Sequence, residues 1–192
     1  MNVEKAIYDV LERLGLTSDD SEVDDRLISQ WLSTAMAKVL GDWLPYNTIP
    51  SSMIRQYEIA LVNKKFELPV SIFEIMDDGG IISIARPGGK SIEMIDGGVG
   101  GIQLERNSVV GMPTEYWYRT GTTVHVFGKF PDDLKLDVIL VPNDLTSFEK
   151  TDPFPAPSEF MDDILEEAER IGNRKLQRPH DINNDGKDLP ND

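Results

Sequence analysis

Cysteine is absent from the 192 residues. That excludes a disulfide framework, a thiolate metal site and a cysteine nucleophile. Histidine is nearly absent too, with only His125 and His180, which fall in different parts of the chain and suggest no metal site. No apolar run approaches the length of a membrane span. The first residues, Met1 to Leu14, lack a basic segment followed by an apolar one, so no signal peptide is expected there. Bases are outnumbered by acids, 19 to 34, and the formal net charge is -15. Gripping nucleic-acid phosphate relies on Lys and Arg displacing counterions, so this balance argues against that role. An acidic wall would still let DNA slide past, and the plainer reading of the charge is solubility.

The excess acid sits at the two ends. Residues 1–50 hold nine acids against four bases, 51–143 hold twelve against nine, and 144–192 hold thirteen against six. Three zones follow the same divisions. In 1–50, Val3, Ala6, Ile7, Val10, Leu11 and Leu14 repeat at helical spacing, and Gly15 offers a stop. Val23, Leu27, Ile28, Trp31, Leu32, Ala35, Met36, Val39 and Leu40 repeat likewise, with acids enriched in the first turn and Gly41 as a plausible end. A helical hairpin is predicted.

From 51 to 143 the pattern changes to short strands separated by Gly, Pro and Asp turns. Strands are predicted at Tyr57–Val62, Val70–Met76, Ile81–Ala85, Ser91–Ile95, Glu115–Arg119, Thr123–Phe127 and Leu134–Val141, the last three as a meander. Leu134, Leu136, Val138 and Leu140 put one wholly apolar face on the final strand. An antiparallel β-sandwich or barrel-like domain is expected. In 144–192, Pro153, Pro155 and Pro157 hold an extended segment, Ser158 offers an N-cap, and a helix is predicted over 158–174. Arg178 to Asp192 is a polar tail that cannot fold alone. The fold class is therefore α+β, with an N-terminal helical hairpin, an antiparallel β domain, and a C-terminal arm carrying a helix and an extended tail.

Motifs of chemistry fail at specific positions. Gly88-Gly89-Lys90-Ser91 imitates the end of a phosphate loop, but Ile84 stands where its first glycine belongs, and no helix follows. The glycines of 97–101 miss the dinucleotide spacing at Gln103. Asp181 to Gly186 matches the first half of a calcium loop, but Asp192 replaces the bidentate Glu at the twelfth position, and a polar tail explains it equally. Paired acids such as Asp77-Asp78 and Asp162-Asp163 diverge as sequence neighbours, so they read as turns and solvated faces. No cofactor, metal or catalytic group is assigned. Tyr116-Trp117-Tyr118 is the most aromatic stretch. Trp117 reads first as sandwich core and second as an interface anchor.

The order of these zones resembles a known family. A helical pair is followed by a β domain ending in Tyr116-Trp117-Tyr118, Gly121, Thr123-Val124-His125-Val126-Phe127, Leu134-Lys135-Leu136-Asp137-Val138 and Val141-Pro142. This resembles the head-to-tail adaptor and ring proteins of short-tailed phages. Thr151-Asp152-Pro153-Phe154-Pro155-Ala156-Pro157, the acidic helix, and Arg178-Pro179-His180-Asp181 with Asn184-Asp185 look like the connector proteins of crAss-like phages. The resemblance implies a non-enzymatic virion subunit in the tail or neck of the particle. It implies a twelve-fold ring under the portal protein, touching neighbouring ring proteins, with DNA passing unbound through the lumen and no membrane. The arm would order on a neighbouring subunit or on the portal. Candidate partner contacts are Trp117, Phe154, Phe160, Arg174, Arg178 and Pro179. Two other classes stay open: a carbohydrate-binding β-sandwich, and a small enzyme with a dispersed site.

Overall fold

A computed structural model describes residues 1–16, 23–74, 79–95, 115–131 and 134–176. It shows the expected α+β class, with helices in one layer and two sheets in the other. The first helix, α1 (Val3–Arg13), buries Val3, Ala6, Ile7 and Val10, the residues its periodicity singles out. An α-helix leaves its first four N–H groups without internal partners. Here Val3, Glu4 and Lys5 all find partners outside the ladder, and Ala6 makes its first bond. Val3 N–H donates to the Asp152 carbonyl, Glu4 to that of Lys150, Lys5 to the Asn2 side chain, and Ala6 to the Asn2 carbonyl. At the other end Gly15 adopts a φ of 65°, which a residue bearing Cβ resists. That conformation lets Leu16 N–H reach the Leu11 carbonyl and Gly15 N–H that of Glu12, closing the helix.

The second helix, α2 (Asp25–Gly41), is capped by the Asp24 carboxylate, which accepts from Arg26 N–H. The third, α3 (Met161–Lys175), is preceded by a 3-10 turn, Ser158–Phe160. Ser158 therefore begins that turn and makes no side-chain cap, contrary to its predicted role. Trp31 of α2 lies beside Gly172 of α3, and seven residues later Lys38 pairs with Glu167, so α2 and α3 run antiparallel. A Cβ on Gly172 would sit 2.8 Å from both Leu14 Cδ1 and the Trp31 ring. Bare backbone is what allows the close approach there.

The three helices share one core with Phe154, Leu145, Phe148, Phe73 and Met53. The segment and helix expected to form an arm for a partner are thus built into this chain's own helical layer. Residues 150–154 run along the start of α1, with Phe154 N–H donating to the Met1 carbonyl at 3.1 Å. Arg55 fastens this segment to the sheet layer. Its guanidinium lies 4.1 Å from the centre of the Phe148 ring and pairs with Asp152 at 2.6 Å.

Among the described residues the β layer has seven strands: β1 (Arg55–Ala60), β2 (Lys65–Glu67), β3 (Ile81–Ala85), β4 (Glu93–Met94), β5 (Tyr116–Thr120), β6 (Thr123–Phe127) and β7 (Lys135–Leu140). One sheet has the order β1-β7-β3, the other β2-β6-β5-β4. The predicted meander is only half right. The strands β5 and β6 form a hairpin, but β7 crosses to the other sheet and becomes its centre. There Leu136, Val138 and Leu140 are all fully covered, facing the interior that the two sheets share. Pairing is antiparallel except for β4 with β5, which is parallel. The strand predicted at Val70–Met76 reduces to a single bridge, Ile72 with Pro142, and Phe73 turns into the helical core; 75–78 lie outside the described residues. The short β2 was not predicted.

Both sheets bury one shared interior, which includes Phe66, Ile84, Ile92, Trp117, Val124 and Val126. Their margins are joined by single bridges, Val62 with Lys65 on one side and Ala85 with Ser91 on the other. The layer is a flattened barrel, between the two forms that the sequence suggests.

Candidate interaction surface

The turn Gly121-Thr122 sets Tyr116 opposite Phe127 and Tyr118 opposite His125. These four residues alternate with the inward Trp117, Val124 and Val126, so they lie together on the outer face of the four-stranded sheet. Their rings form one continuous stack. Tyr116 and Phe127 are 5.1 Å apart at 14°, Phe127 and Tyr118 are 5.7 Å apart at 11°, and Tyr118 and His125 are 4.7 Å apart at 8°. All four are half-buried. Lys65 stands opposite His125 and Glu93 opposite Tyr116, so charged side chains border the stack. Glu67, next to Lys65 along the same face, accepts from the Thr123 and Thr122 hydroxyls. Those hydrogen bonds hold its carboxyl below the usual value.

The stack bears on ligand class. Each inner ring, Phe127 and Tyr118, has both faces covered by neighbours. Sugars pack on open aromatic faces, and only the end rings, Tyr116 and His125, keep one face without a ring neighbour. What it offers outward is ring edges, which attract carbonyl and carboxylate oxygens, and an amphipathic surface of the kind found at protein interfaces.

The predicted contact residues are distributed unevenly. Trp117 is 3 % exposed, and its indole N–H donates to the Ile92 carbonyl at 3.1 Å. Phe154 is 4 % exposed within the helical core. Both are anchors of this chain's own interior, which for Trp117 is the core reading that the sequence puts first, while Phe154 lies away from the surface expected for a partner contact. The same strand that buries Trp117 turns Tyr116 and Tyr118 outward, so the interface-type aromatics are its neighbours. Phe160 is half-buried and meets Trp43 edge to face at 5.4 Å. Close by in sequence, Tyr46 is 86 % exposed. Arg174 is exposed in the last turn of α3. Arg178, Pro179 and the calcium-like Asp181–Gly186 segment lie outside the described residues, as does the 97–101 glycine loop.

Groups suited to chemistry are sparse elsewhere. Among the described residues, no set of three or more His, Asp or Glu could hold a metal ion. An open cleft of about 460 Å³ lies between α2 and the loops of the β layer, lined by Gln30, Ser33, Thr34, Ala37, Ser71, Asn143 and Asp144. Ser33 is committed there to structure: its hydroxyl donates to the Ser29 carbonyl at 2.7 Å and accepts from Leu145 N–H at 3.0 Å. No helix among the described residues is long and apolar enough to cross a membrane. No family model matches the chain, and no curated protein matches it.

Proposed function

We propose that this chain is a structural subunit of the head-to-tail connector of a tailed phage, one copy in a closed ring that docks on the portal or on an adjacent ring. The observation that carries the reading is the aromatic stack on the outer face of the four-stranded sheet, a surface with the chemistry of a protein contact and with both faces of its inner rings covered. A second apolar surface, around Tyr46, Trp43 and Phe160, belongs to the helical layer. Two unlike patches on one subunit suit a head-to-tail contact, which closes into a ring when the rotation per subunit allows. The order of zones along the chain supports a connector among ring-forming proteins. Charge accords with a lumen that does not grip DNA. Twelve copies at -15 each would carry roughly -180.

The test is the mass of the purified full chain in solution, alone and with a candidate portal, compared with the double variant Tyr118→Ser, Phe127→Ser. The expected result is a ring or portal complex that the double variant loses while its monomer keeps native helicity. At low salt the copies repel, so assembly should strengthen from about 0.02 to 0.3 M salt as screening sets in. A wild-type chain that stays monomeric at all salt concentrations and ignores the portal would overturn the reading. The structure also selects the right deletion. Removing 151–192 would strip Phe154, Ile164, Leu165 and Ala168 from the core, whereas removing 177–192 leaves every described element in place.

A further inference from the structure

The seam between β1 and β2 is closed at one end only. Val62 and Lys65 exchange both main-chain hydrogen bonds, at 3.0 and 3.1 Å, across the turn Asn63-Lys64. Beyond that bridge the two strands part into different sheets. On β1, Leu61 N–H donates to the Leu134 carbonyl, and the register Ile59 to Leu136, Tyr57 to Val138 and Arg55 to Leu140 continues that pattern. The alternate residues Gln56, Glu58 and Ala60 therefore turn their N–H and C=O groups away from β7. On β2, Lys64 accepts from Val126 and Leu68 donates to Thr122, so the main-chain groups of Lys65 and Glu67 face the seam, and among the described residues Glu67 has no main-chain partner there. Among the described residues, nothing bonds to the outward main-chain groups of Gln56, Glu58 or Ala60.

A cleft of about 280 Å³ occupies this place, lined by Ile59, Ala60, Val62, Lys65, Phe66 and Glu67. It is mainly apolar, and Val62 at its mouth is 61 % exposed. Unpaired sheet edges invite further strands unless covered or guarded. At the closed end stand Lys64 and Lys65, neither of which is in an ion pair among the described residues.

We infer that the seam receives a single extended segment of another polypeptide, which pairs with β1 as an added strand. Its alternate residues point one apolar side chain into the Ile59–Val62–Phe66 cleft, and a carboxylate near one end lies against Lys64 and Lys65. The main-chain donors and acceptors fix the backbone chemistry of the occupant, the cleft fixes one side chain, and the two lysines fix the charge. A lone segment fits because the seam has walls on both sides, β1 and Glu67 of β2. Every described strand of a second copy is paired along one edge, and the strand beside it would collide with β2, the second wall of the seam. This inference stands apart from the connector reading and survives its failure.

The probe is a blocked eight-residue peptide, Asp-Thr-Val-Thr-Val-Thr-Val-Thr, added to the full chain, with amide hydrogen exchange followed by NMR. In the free protein the amides of Gln56, Glu58 and Ala60 should exchange fast beside slow ones at Tyr57 and Ile59. With millimolar peptide those three amides should slow by at least about tenfold. A peptide with Lys in place of Asp should bind several-fold more weakly. Glu58→Pro should abolish binding, because it removes an outward N–H and leaves the bonds to β7 intact. Should that variant fail to fold, K64E/K65E serves instead, reversing the preference between the two peptides. Protection of the three amides in the free protein would overturn the inference. Independence from concentration would mean the chain fills its own seam, and a rise with concentration would mean a second copy does. No slowing at millimolar peptide, or slowing confined to β3, would overturn it equally.

Discussion

Phe154→Ala tests whether the proline segment belongs to this chain's fold or waits for a partner. The ring is 4 % exposed and belongs to the core that α1, α2 and α3 share. Withdrawing a phenyl group of this size from an apolar site costs about 2–3 kcal/mol in transfer. The space left behind raises the total to about 3–5 kcal/mol, since the main-chain bonds of 150–154 to α1 persist and keep the walls from collapsing inward. Against a typical total of about 5–15 kcal/mol, that is a large fraction of the stability. The assay is urea unfolding of the dilute monomer, followed by tryptophan fluorescence, with Trp31 and Trp43 reporting on the helical layer. The midpoint should fall with the slope unchanged. In a thermal scan the midpoint should fall by about 6–20 °C for a chain of this length. A loss below about 1 kcal/mol would refute the packing argument and return the segment to the role of a free arm.

Two further outcomes follow from named contacts. The hydrogen bond from Arg170, with help from Lys38, holds the Glu167 carboxyl below its usual value of 4.5. Because the folded value is the lower one, the contribution is complete above the unfolded value and is lost as pH falls through the folded one. Glu167→Gln should therefore flatten the pH dependence of stability below about pH 4.5 and change little in its slope near neutrality, checked by urea midpoints across pH 3–7. Gly80→Ala should destabilise by about 2–4 kcal/mol, because φ is 75° there and the new Cβ would stand 2.3 Å from the Phe73 carbonyl oxygen. An unchanged melting temperature would contradict that local geometry.

Much of the local structure was legible in the residues. The faces of α1 and α2 follow from apolar spacing, because burial of one stripe requires that period whatever the partner. The hairpin of β5 and β6 follows from a tight turn at Gly121, and the same turn puts Tyr118 opposite His125, so the aromatic stack could have been derived from register alone. The short β2 was hidden because three residues, Lys65-Phe66-Glu67, carry too little alternation to stand out.

What the chain determines by itself is local: the period of its faces, its turns, its charge and the motifs it breaks. Tertiary structure decided the rest. The strand β7 left the β5–β6 hairpin for a place between β1 and β3, where Leu136, Val138 and Leu140 face the interior that the two sheets share. The C-terminal helix closed on α1 and α2 because its apolar stripe found a complementary face in the same molecule, a choice that periodicity leaves open between self and partner. Trp117 went inward and Tyr118 outward for the same reason. Alternation says that neighbours on a strand part ways, and only the second sheet says which side is the interior.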